Sequence, residues 1–242
     1  MHEIPDHIQI FLGEASVYPA KIHETCLAFL DSQDQKELKK ISVYMGQLSH
    51  GLRMALNNAL WDFCEQNINP ALDKGEYNKI RYSHDFPIEA SYESFMQAKC
   101  RALRHIKGDF PVVYQFLEKV QPYHPGYQEL SPMRVMSNDS SHTIPVGVRD
   151  GHIDMMQAPG YQWPRIVGEE VIVQWTPSHK VSKYSIPCYI EEMDLYVSRG
   201  KEWRAFWMKP DDSETLFQPT SFSRIMLSRV TTLINDFYNL WD

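Results

Sequence analysis

The sequence lacks most of the features that identify an activity directly. It contains no phosphate-binding glycine-rich loop, no nucleophile elbow, no metal-ligand cluster and no dinucleotide-binding fingerprint. No apolar run approaches the roughly 20 residues that cross a bilayer, and residues 1–6 lack the basic start and apolar core of a signal peptide. We therefore expect a cytoplasmic protein with no membrane partner, no cofactor and no metal.

Cysteine is scarce, with four in 242 residues. Cys26, Cys64, Cys100 and Cys188 are far apart, and none belongs to a Cys-x-x-Cys pair. This spacing argues against a zinc site and against a redox motif. We predict reduced and mostly buried thiols.

Positive charge is also in deficit, since the formal net charge is -7. Binding to nucleic acid by unspecific phosphate neutralisation is disfavoured, because that mode needs clustered Lys and Arg. The segment from Lys99 to Lys107 is the nearest to such a cluster. On a helix its basic side chains would spread over more than one face, which favours a solvated helix and leaves a local basic groove as the alternative.

The apolar spacing predicts a mainly helical body. The longest helix is expected from about Gln35 to Gln66, followed by a loop from Asn67 to Glu89 and a second helix that ends at Gly108. A third is expected to start at Asp109-Phe110-Pro111, and a short one to start at Ser131-Pro132. The apolar stripe of the long helix has spacings of three and four residues and consists of Leu38, Ile41, Met45, Leu48, Leu52, Leu56, Ala59 and Phe63.

From Thr143 the apolar spacing shortens towards two, which predicts a short antiparallel sheet. The helical period returns at about Pro219, and this terminal helix is expected to dock on the long one. We predict an α+β fold in a single domain, 1–242. Its parts are a helical region (1–142), a β-rich excursion (143–212) and a C-terminal helix (213–242).

Three polar side chains recur at four-residue intervals and form the candidate catalytic set: Arg134, Asn138 and His142. On a helix they would project from one face. Each also has a structural interpretation. His142 would cap the helix C-terminus, Asn138 would end the helix, and Arg134 would pair with Asp139 or Glu129.

A second polar stripe follows the long helix opposite its apolar face. It contains His50, Arg53, Asn57 and Trp61, which we predict to be binding residues. This face is either solvent-exposed or covered by a second layer or a partner chain, because Trp61 is a costly side chain to leave in water. We expect Arg53 and His142 to line one pocket.

Four short motifs occur in an order that resembles a widespread set of uncharacterised bacterial proteins. In that set an LRxALD helix precedes an FPI turn, a LQPY helix end and an SNxDKHR element. In this chain Asn57 replaces an acid, and Ser-Ser-His-Thr at 140–143 replaces Asp-Lys-His-Arg. The resemblance supports the helical architecture and implies no activity. The motifs are Gly46-x-x-x-His50-x-x-Arg53-x-Ala55-Leu56, Phe86-Pro87-Ile88, Leu117-x-x-x-Gln121-Pro122-Tyr123, and Ser137-Asn138 followed by His142.

Arg134 and His142 also give the chain a weaker resemblance to HEPN ribonucleases of bacterial conflict and defence systems. Those enzymes are helical and use an Arg and a His separated by four to six residues. The resemblance implies metal-independent cleavage, in which His acts on a ribose 2′-hydroxyl and Arg stabilises charge on the phosphate. Here seven residues separate the two, a distance of roughly 12 Å along a helix. Joint action on one phosphate then requires that both side chains reach inward or that the second copy of a homodimer contributes.

Two functions follow as hypotheses. The first is a module of bacterial or phage conflict that is associated with nucleic acid and binds RNA, as a HEPN-like ribonuclease. The second is a non-enzymatic module that binds a protein partner through the Trp61 face or a sheet edge.

Overall fold

The computed structural model describes residues 3–142, 148–152, 161–167, 170–175, 181–185, 188–198, 203–208 and 217–241. The N-terminal half is helical. Its helices are α1 (Asp6–Ser16), α2 (Tyr18–Ser32), α3 (Gln35–Asn67), α4 (Lys74–Arg81), α5 (Tyr92–Met96), α6 (Ala102–Asp109), α7 (Pro111–Lys119) and α8 (Leu130–His142).

The second half begins with strands and ends with α9 (Pro219–Tyr238). This order confirms the predicted α+β class with a mainly helical body. The strands are β1 (Val148–His152), β2 (Tyr161–Val167), β3 (Glu170–Trp175), β4 (Val181–Ser185), β5 (Cys188–Ile190), β6 (Leu195–Val197) and β7 (Trp203–Met208).

The chain groups into two compact units. One contains residues 1–18, 45–145 and 223–242, and the other contains residues 19–44 and 146–222. The organisation as a single domain stays a prediction. Within the described residues, no helix is long and apolar enough to cross a membrane.

Helix α3 runs from Gln35 to Asn67 and confirms the predicted long helix. All the side chains of its predicted apolar stripe are buried. In the first unit, α9 docks on this helix as predicted. The Tyr238 hydroxyl donates to Asp62 Oδ2 over 2.7 Å, and the rings of Phe237 and Phe63 lie 5.9 Å apart.

The predicted loop from Asn67 to Glu89 was wrong in part, because it contains a 3-10 turn (Asn69–Ala71) and helix α4. Asp73 caps α4 by accepting from the backbone N–H groups of Gly75 and Glu76 over 2.7 and 2.9 Å. Such a cap satisfies donors that the first turn leaves unpaired. This cap favours the start of an eight-residue helix at this point.

The predicted helix ending at Gly108 was also wrong, because it is two helices, α5 and α6. Between them the backbone bonds to a distant residue. Ser83 accepts from Arg101 N–H through its carbonyl over 3.0 Å, and the Ser83 hydroxyl donates to the Lys99 carbonyl over 2.6 Å. Pro111 then opens α7 as its first residue, as predicted.

The second unit contains two antiparallel sheets in the described residues, with strand orders β1-β7-β6-β5 and β2-β3-β4. The predicted apolar spacing of two is seen in β5, where Cys188 and Ile190 are buried and Tyr189 between them is half-buried. Phe29 of α2 contacts Phe206 of β7 edge to face, with ring centroids 5.7 Å apart.

Candidate functional site

The candidate site is built around the loop of residues 85–89 in the first unit. Asn57 of α3 holds the start of this loop. Its side-chain amide donates to Asp85 Oδ1 over 2.9 Å, and its carbonyl oxygen accepts from the backbone N–H of Phe86 over 2.9 Å. Phe86 is fully buried, which anchors the loop beside α3.

Gln121, two residues after the end of α7, holds the middle of the loop. This side chain is fully buried. It donates to the Pro87 carbonyl over 2.9 Å and accepts from the Glu89 N–H over 2.8 Å. It also donates to the Leu117 carbonyl over 2.6 Å. A buried amide with all these bonds fixes the path of the loop, because breaking them would leave polar groups unpaired.

Arg134 of α8 holds the end of the loop. Its Nη1 donates to the Ile88 carbonyl and to Glu89 Oε2, the second over 3.1 Å. The Arg134 and Glu89 side chains are 39% and 20% exposed, so solvent screens this ion pair only in part. Side chains from α3, from the segment after α7 and from α8 thus position one loop of five residues.

A cavity of about 660 Å³ opens between this loop and the segment that joins α5 to α6. Three cationic and two carboxylate side chains line it, together with hydroxyl, amide and aromatic groups. The lining residues are Arg53, Tyr82, Ser83, Asp85, Phe86, Pro87, Glu89, Ser94, Gln97, Ala98, Lys99, Cys100 and Arg134.

Arg53 of α3 contributes the most unusual group of this cavity. Its Nη1 atom is buried and has no hydrogen-bond partner among the described residues. Burial lowers the pKa of the guanidinium, with a smaller contribution in the same direction from Arg134, while Asp85 and Glu89 act against this shift. A charged donor without an acceptor is costly inside a protein. The arrangement is suited to an anion that enters the cavity.

Tyr82 and Lys99 lie in the outer part of the same cavity wall. The Tyr82 side chain is 83% exposed, and Lys99 is exposed as well. The cavity therefore combines an interior guanidinium with an aromatic ring and an ammonium group that are open to solvent. This combination can hold a ligand that has both an anionic part and a flat apolar part.

The structure brings two of the sequence-predicted residues, Arg53 and Arg134, to this cavity. Asn57 lies behind the wall and supports it. His50 is exposed and is outside the described lining. The backbone of Asn138 and His142 belongs to α8, but their side chains lie outside the part that the structure describes, so the pairing of Arg53 with His142 stays a prediction.

Trp61 is half-buried against residues of its own chain. Its ring lies 4.8 Å from that of His84 and 6.1 Å from that of Tyr77 of α4, measured between centroids. Tyr77 and His84 therefore form a second layer over Trp61, whereas His50 of the same helix face is exposed. His84 Nδ1 lies 2.7 Å from the Arg81 carbonyl, to which it donates.

Arg134 does not pair with Glu129, contrary to one structural interpretation of this residue. Glu129 instead accepts from Arg229 of α9 over 2.5 Å, and Arg134 turns to Glu89. The described residues contain no group of three or more His, Cys, Asp or Glu side chains that could hold a metal. The cysteines are free and buried, as predicted.

Sequence reasoning missed the residues that the loop contributes, above all Asp85 and Glu89. A contiguous Ser83-His84-Asp85 trio cannot form a catalytic relay, and the structure directs its middle member to Trp61. The usable signal was the order of motifs. The FPI turn and the LQPY helix end lie far apart in sequence, and Gln121 joins them.

The comparisons with known proteins give little further information. No family model matches the chain, and no solved structure matches it significantly. A threonine–tRNA ligase of Syntrophomonas wolfei subsp. wolfei is 30% identical to this chain over 111 residues. The similarity covers 46% of this chain, which spans only 16% of the length of that ligase.

Proposed function

We propose that this chain is a module associated with nucleic acid that binds RNA through the cavity of Arg53, and that it acts in bacterial or phage conflict. The observation that carries the proposal is the Arg53 side chain, which lines a large cavity and whose buried Nη1 has no partner in the described residues. Phosphate oxygens are the acceptors that a guanidinium binds best in nucleic acids.

The charge of the chain limits how this binding can work. At a net charge of -7 the chain as a whole repels nucleic acid, so attraction must come from a local site. The cavity supplies such a site through Arg53, Arg134 and Lys99. Because few cations take part, we expect a shallow salt dependence that corresponds to about one to three phosphates.

The enzymatic form of the proposal is a HEPN-like, metal-independent ribonuclease. In this scheme His142 removes the proton from a ribose 2′-hydroxyl, and the 2′-oxygen attacks the adjacent phosphorus to form a 2′,3′-cyclic phosphate. The P–O5′ bond breaks, and the 5′-oxygen leaves with a proton taken from water. We assign the stabilisation of phosphate charge to Arg53 rather than to Arg134, because Glu89 and the Ile88 carbonyl already occupy Arg134 Nη1.

The similarity to a threonine–tRNA ligase gives a practical reason to include tRNA among the first ligands. That ligase acts on tRNA by its name. Since the shared region is a small part of the ligase, the similarity guides only the choice of RNA and adds nothing about the reaction.

The binding test is fluorescence anisotropy with labelled single-stranded RNA and with tRNA, in the presence of EDTA. We expect Arg53→Met to weaken binding about tenfold, as for the loss of a charge-assisted hydrogen bond. Lys39→Met is the matched control, because it removes one positive charge from an exposed position outside the cavity. Equal loss in both variants would show that only net charge matters.

The cleavage test incubates the same RNAs with the protein and with His142→Ala, again in EDTA. Cleavage by the parent chain and not by the variant supports the ribonuclease. Binding without cleavage leaves an RNA-binding module and removes the enzyme. If RNA does not bind at all, the proposal fails and the protein-binding alternative predicted from the sequence becomes the better one.

A further inference from the structure

The cavity is large enough for a small organic ligand and has the chemistry of one particular kind. Its volume of about 660 Å³ is typical of small-molecule sites, which range from roughly 300 to 1,000 Å³. A nucleic-acid duplex cannot enter a cavity of this size, since its bases are stacked and paired inside a wide helix. A single nucleotide can enter only when it is unstacked from its neighbours.

The interior of the cavity favours an anionic ligand that also carries hydrogen-bond donors. Arg53 offers a donor, because its Nη1 has no hydrogen-bond partner among the described residues. Asp85 and Glu89 also line the wall, and two carboxylates repel a ligand that consists of negative charge alone. A ligand that also carries hydroxyl or amino donors can satisfy these carboxylates.

The remaining wall groups suit the other parts of a nucleotide. Ser94 and Gln97 supply side-chain donors and acceptors for a ribose or a base edge. Tyr82, which is 83% exposed, offers a ring on which a base can stack in any sequence context. Lys99 lies in the same wall and can attract the adjoining phosphate.

We propose that this cavity takes one unstacked nucleotide, with its phosphate on Arg53 and its base on the ring of Tyr82. The inference rests on the proposed function and deepens it, because it names the part of an RNA that is bound. A nucleoside monophosphate carries the same chemistry whether it is free or part of a strand. The experiment therefore separates these two sources.

The first arm measures binding of adenosine monophosphate by isothermal titration calorimetry, next to adenosine and inorganic phosphate. We expect the monophosphate to bind at least about tenfold more tightly than either fragment, because each fragment lacks one of the two anchors. Equal binding of the monophosphate and inorganic phosphate would overturn the role of Tyr82. Equal binding of the monophosphate and adenosine would overturn that of Arg53.

The variants assign the two anchors. Arg53→Met is expected to weaken monophosphate binding about tenfold, and Tyr82→Ala is expected to weaken it roughly fivefold to tenfold. Tyr92→Ala is the matched control for the second, because Tyr92 is also exposed, at 52%, and lies outside the cavity lining. Urea unfolding of each variant checks that it is folded. A Tyr92→Ala effect equal to that of Tyr82→Ala would refute the stacking site.

The second arm compares single-stranded RNA with a blunt duplex RNA of the same sequence. We expect the single strand to bind, the duplex to bind at least about tenfold more weakly, and adenosine monophosphate to displace the single strand. RNA that binds equally well in both forms and is not displaced would refute the nucleotide cavity while the proposed function stands. Monophosphate binding without RNA binding would refute the proposed function and assign the cavity to free nucleotides. Binding of neither would refute both.

Discussion

The side-chain amide of Asn57 donates to the Asp85 carboxylate over 2.9 Å, across 28 residues of sequence. The same amide accepts from the Phe86 N–H through its oxygen. An amide can donate and accept at once, whereas a carboxylate can only accept. This explains why an amide suits position 57, because the neighbouring Asp85 side chain is itself an acid and needs a donor.

The variant Asn57→Asp tests this relationship. It places two carboxylates at hydrogen-bonding distance, where they repel each other when both are charged. We expect the free energy of unfolding in urea to fall by about 2 kcal/mol at pH 7. The loss should shrink towards pH 4, because protonation of either carboxyl restores a donor.

The double variant Asn57→Asp with Asp85→Asn is the control for this prediction. It restores one donor and one acceptor with their places exchanged. We expect it to recover at least half of the lost stability, measured against both single variants. If the double variant lost as much free energy of unfolding as the two single variants lose together, the two side chains would not interact.

Gln121 is the subject of a second prediction, because a fully buried side chain here bonds both the Pro87 carbonyl and the Glu89 N–H. Gln121→Leu keeps the approximate volume and removes these bonds. The stranded backbone groups are expected to lower the free energy of unfolding by about 3 kcal/mol. Urea denaturation followed by tryptophan fluorescence measures this loss.

Gln115→Leu is the matched control, since Gln115 lies on α7, just before the segment that contains Gln121, and is exposed. We expect a change below about 0.5 kcal/mol for it. If Gln121→Leu were equally mild, the loop of residues 85–89 would not depend on this amide.

The buried thiols give a pH-dependent prediction. Burial raises the pKa of the Cys100 thiol from 9.0 to about 11 and that of the Cys26 thiol from 9.0 to about 12. At pH 8 a thiol with a pKa of about 11 is ionised in roughly one molecule in a thousand. We expect no thiol to react with an aromatic disulfide reagent at pH 8 while the chain is folded, and all to react in denaturant.

The same shifts determine how stability changes in alkali. Above pH 9 the unfolded chain loses thiol protons that the folded chain still holds, so the free energy of unfolding falls as the pH rises from 9 to about 11. Denaturation at a series of pH values measures this fall. Rapid thiol reaction at pH 8, or stability that increases between pH 9 and 11, would contradict the burial of Cys26 and Cys100.

The sequence predicts those parts of the fold that depend on local periodicity. Helix α3 ends one residue beyond its predicted end, and α9 begins where the helical period returns at Pro219. Helix α4 was missed, although Asp73 followed by Glu76 after three residues is a recognisable N-terminal signal. The helix has only eight residues, which is too few for an apolar periodicity to be recognised.

The candidate site depends on contacts that no local pattern contains. The helix is interrupted between α5 and α6, where Ser83 accepts a hydrogen bond from the Arg101 N–H and donates one to the Lys99 carbonyl. The sequence of residues 92–108 contains no pattern that predicts these bonds to Ser83. Arg53 and Arg134 could be selected as polar residues on predicted helices. Arg134 has a partner in Glu89, whereas Arg53 has a buried nitrogen without one. This difference depends on the path of the loop between the two side chains, which the sequence pattern does not contain.

This difference between the two arginines gives the last prediction, which concerns stability without any ligand. Arg53→Met removes a buried charge that has no partner at Nη1, and an apolar side chain of similar length fills the space. We expect the free energy of unfolding to stay unchanged or to rise by about 1 kcal/mol. Arg134→Met instead removes bonds to the Ile88 carbonyl and to Glu89, so we expect a loss of about 1 to 2 kcal/mol.

Parallel urea denaturation of the two variants and the parent chain measures both effects in one experiment. If Arg53→Met is at least as stable as the parent chain, Arg53 does not contribute to stability. A role in binding would then explain its presence at the cavity wall, because function often requires groups that stability alone would not favour. If Arg53→Met instead destabilised the chain as much as Arg134→Met, Arg53 would be a structural residue, and the anion-binding role proposed for it would lose its main support.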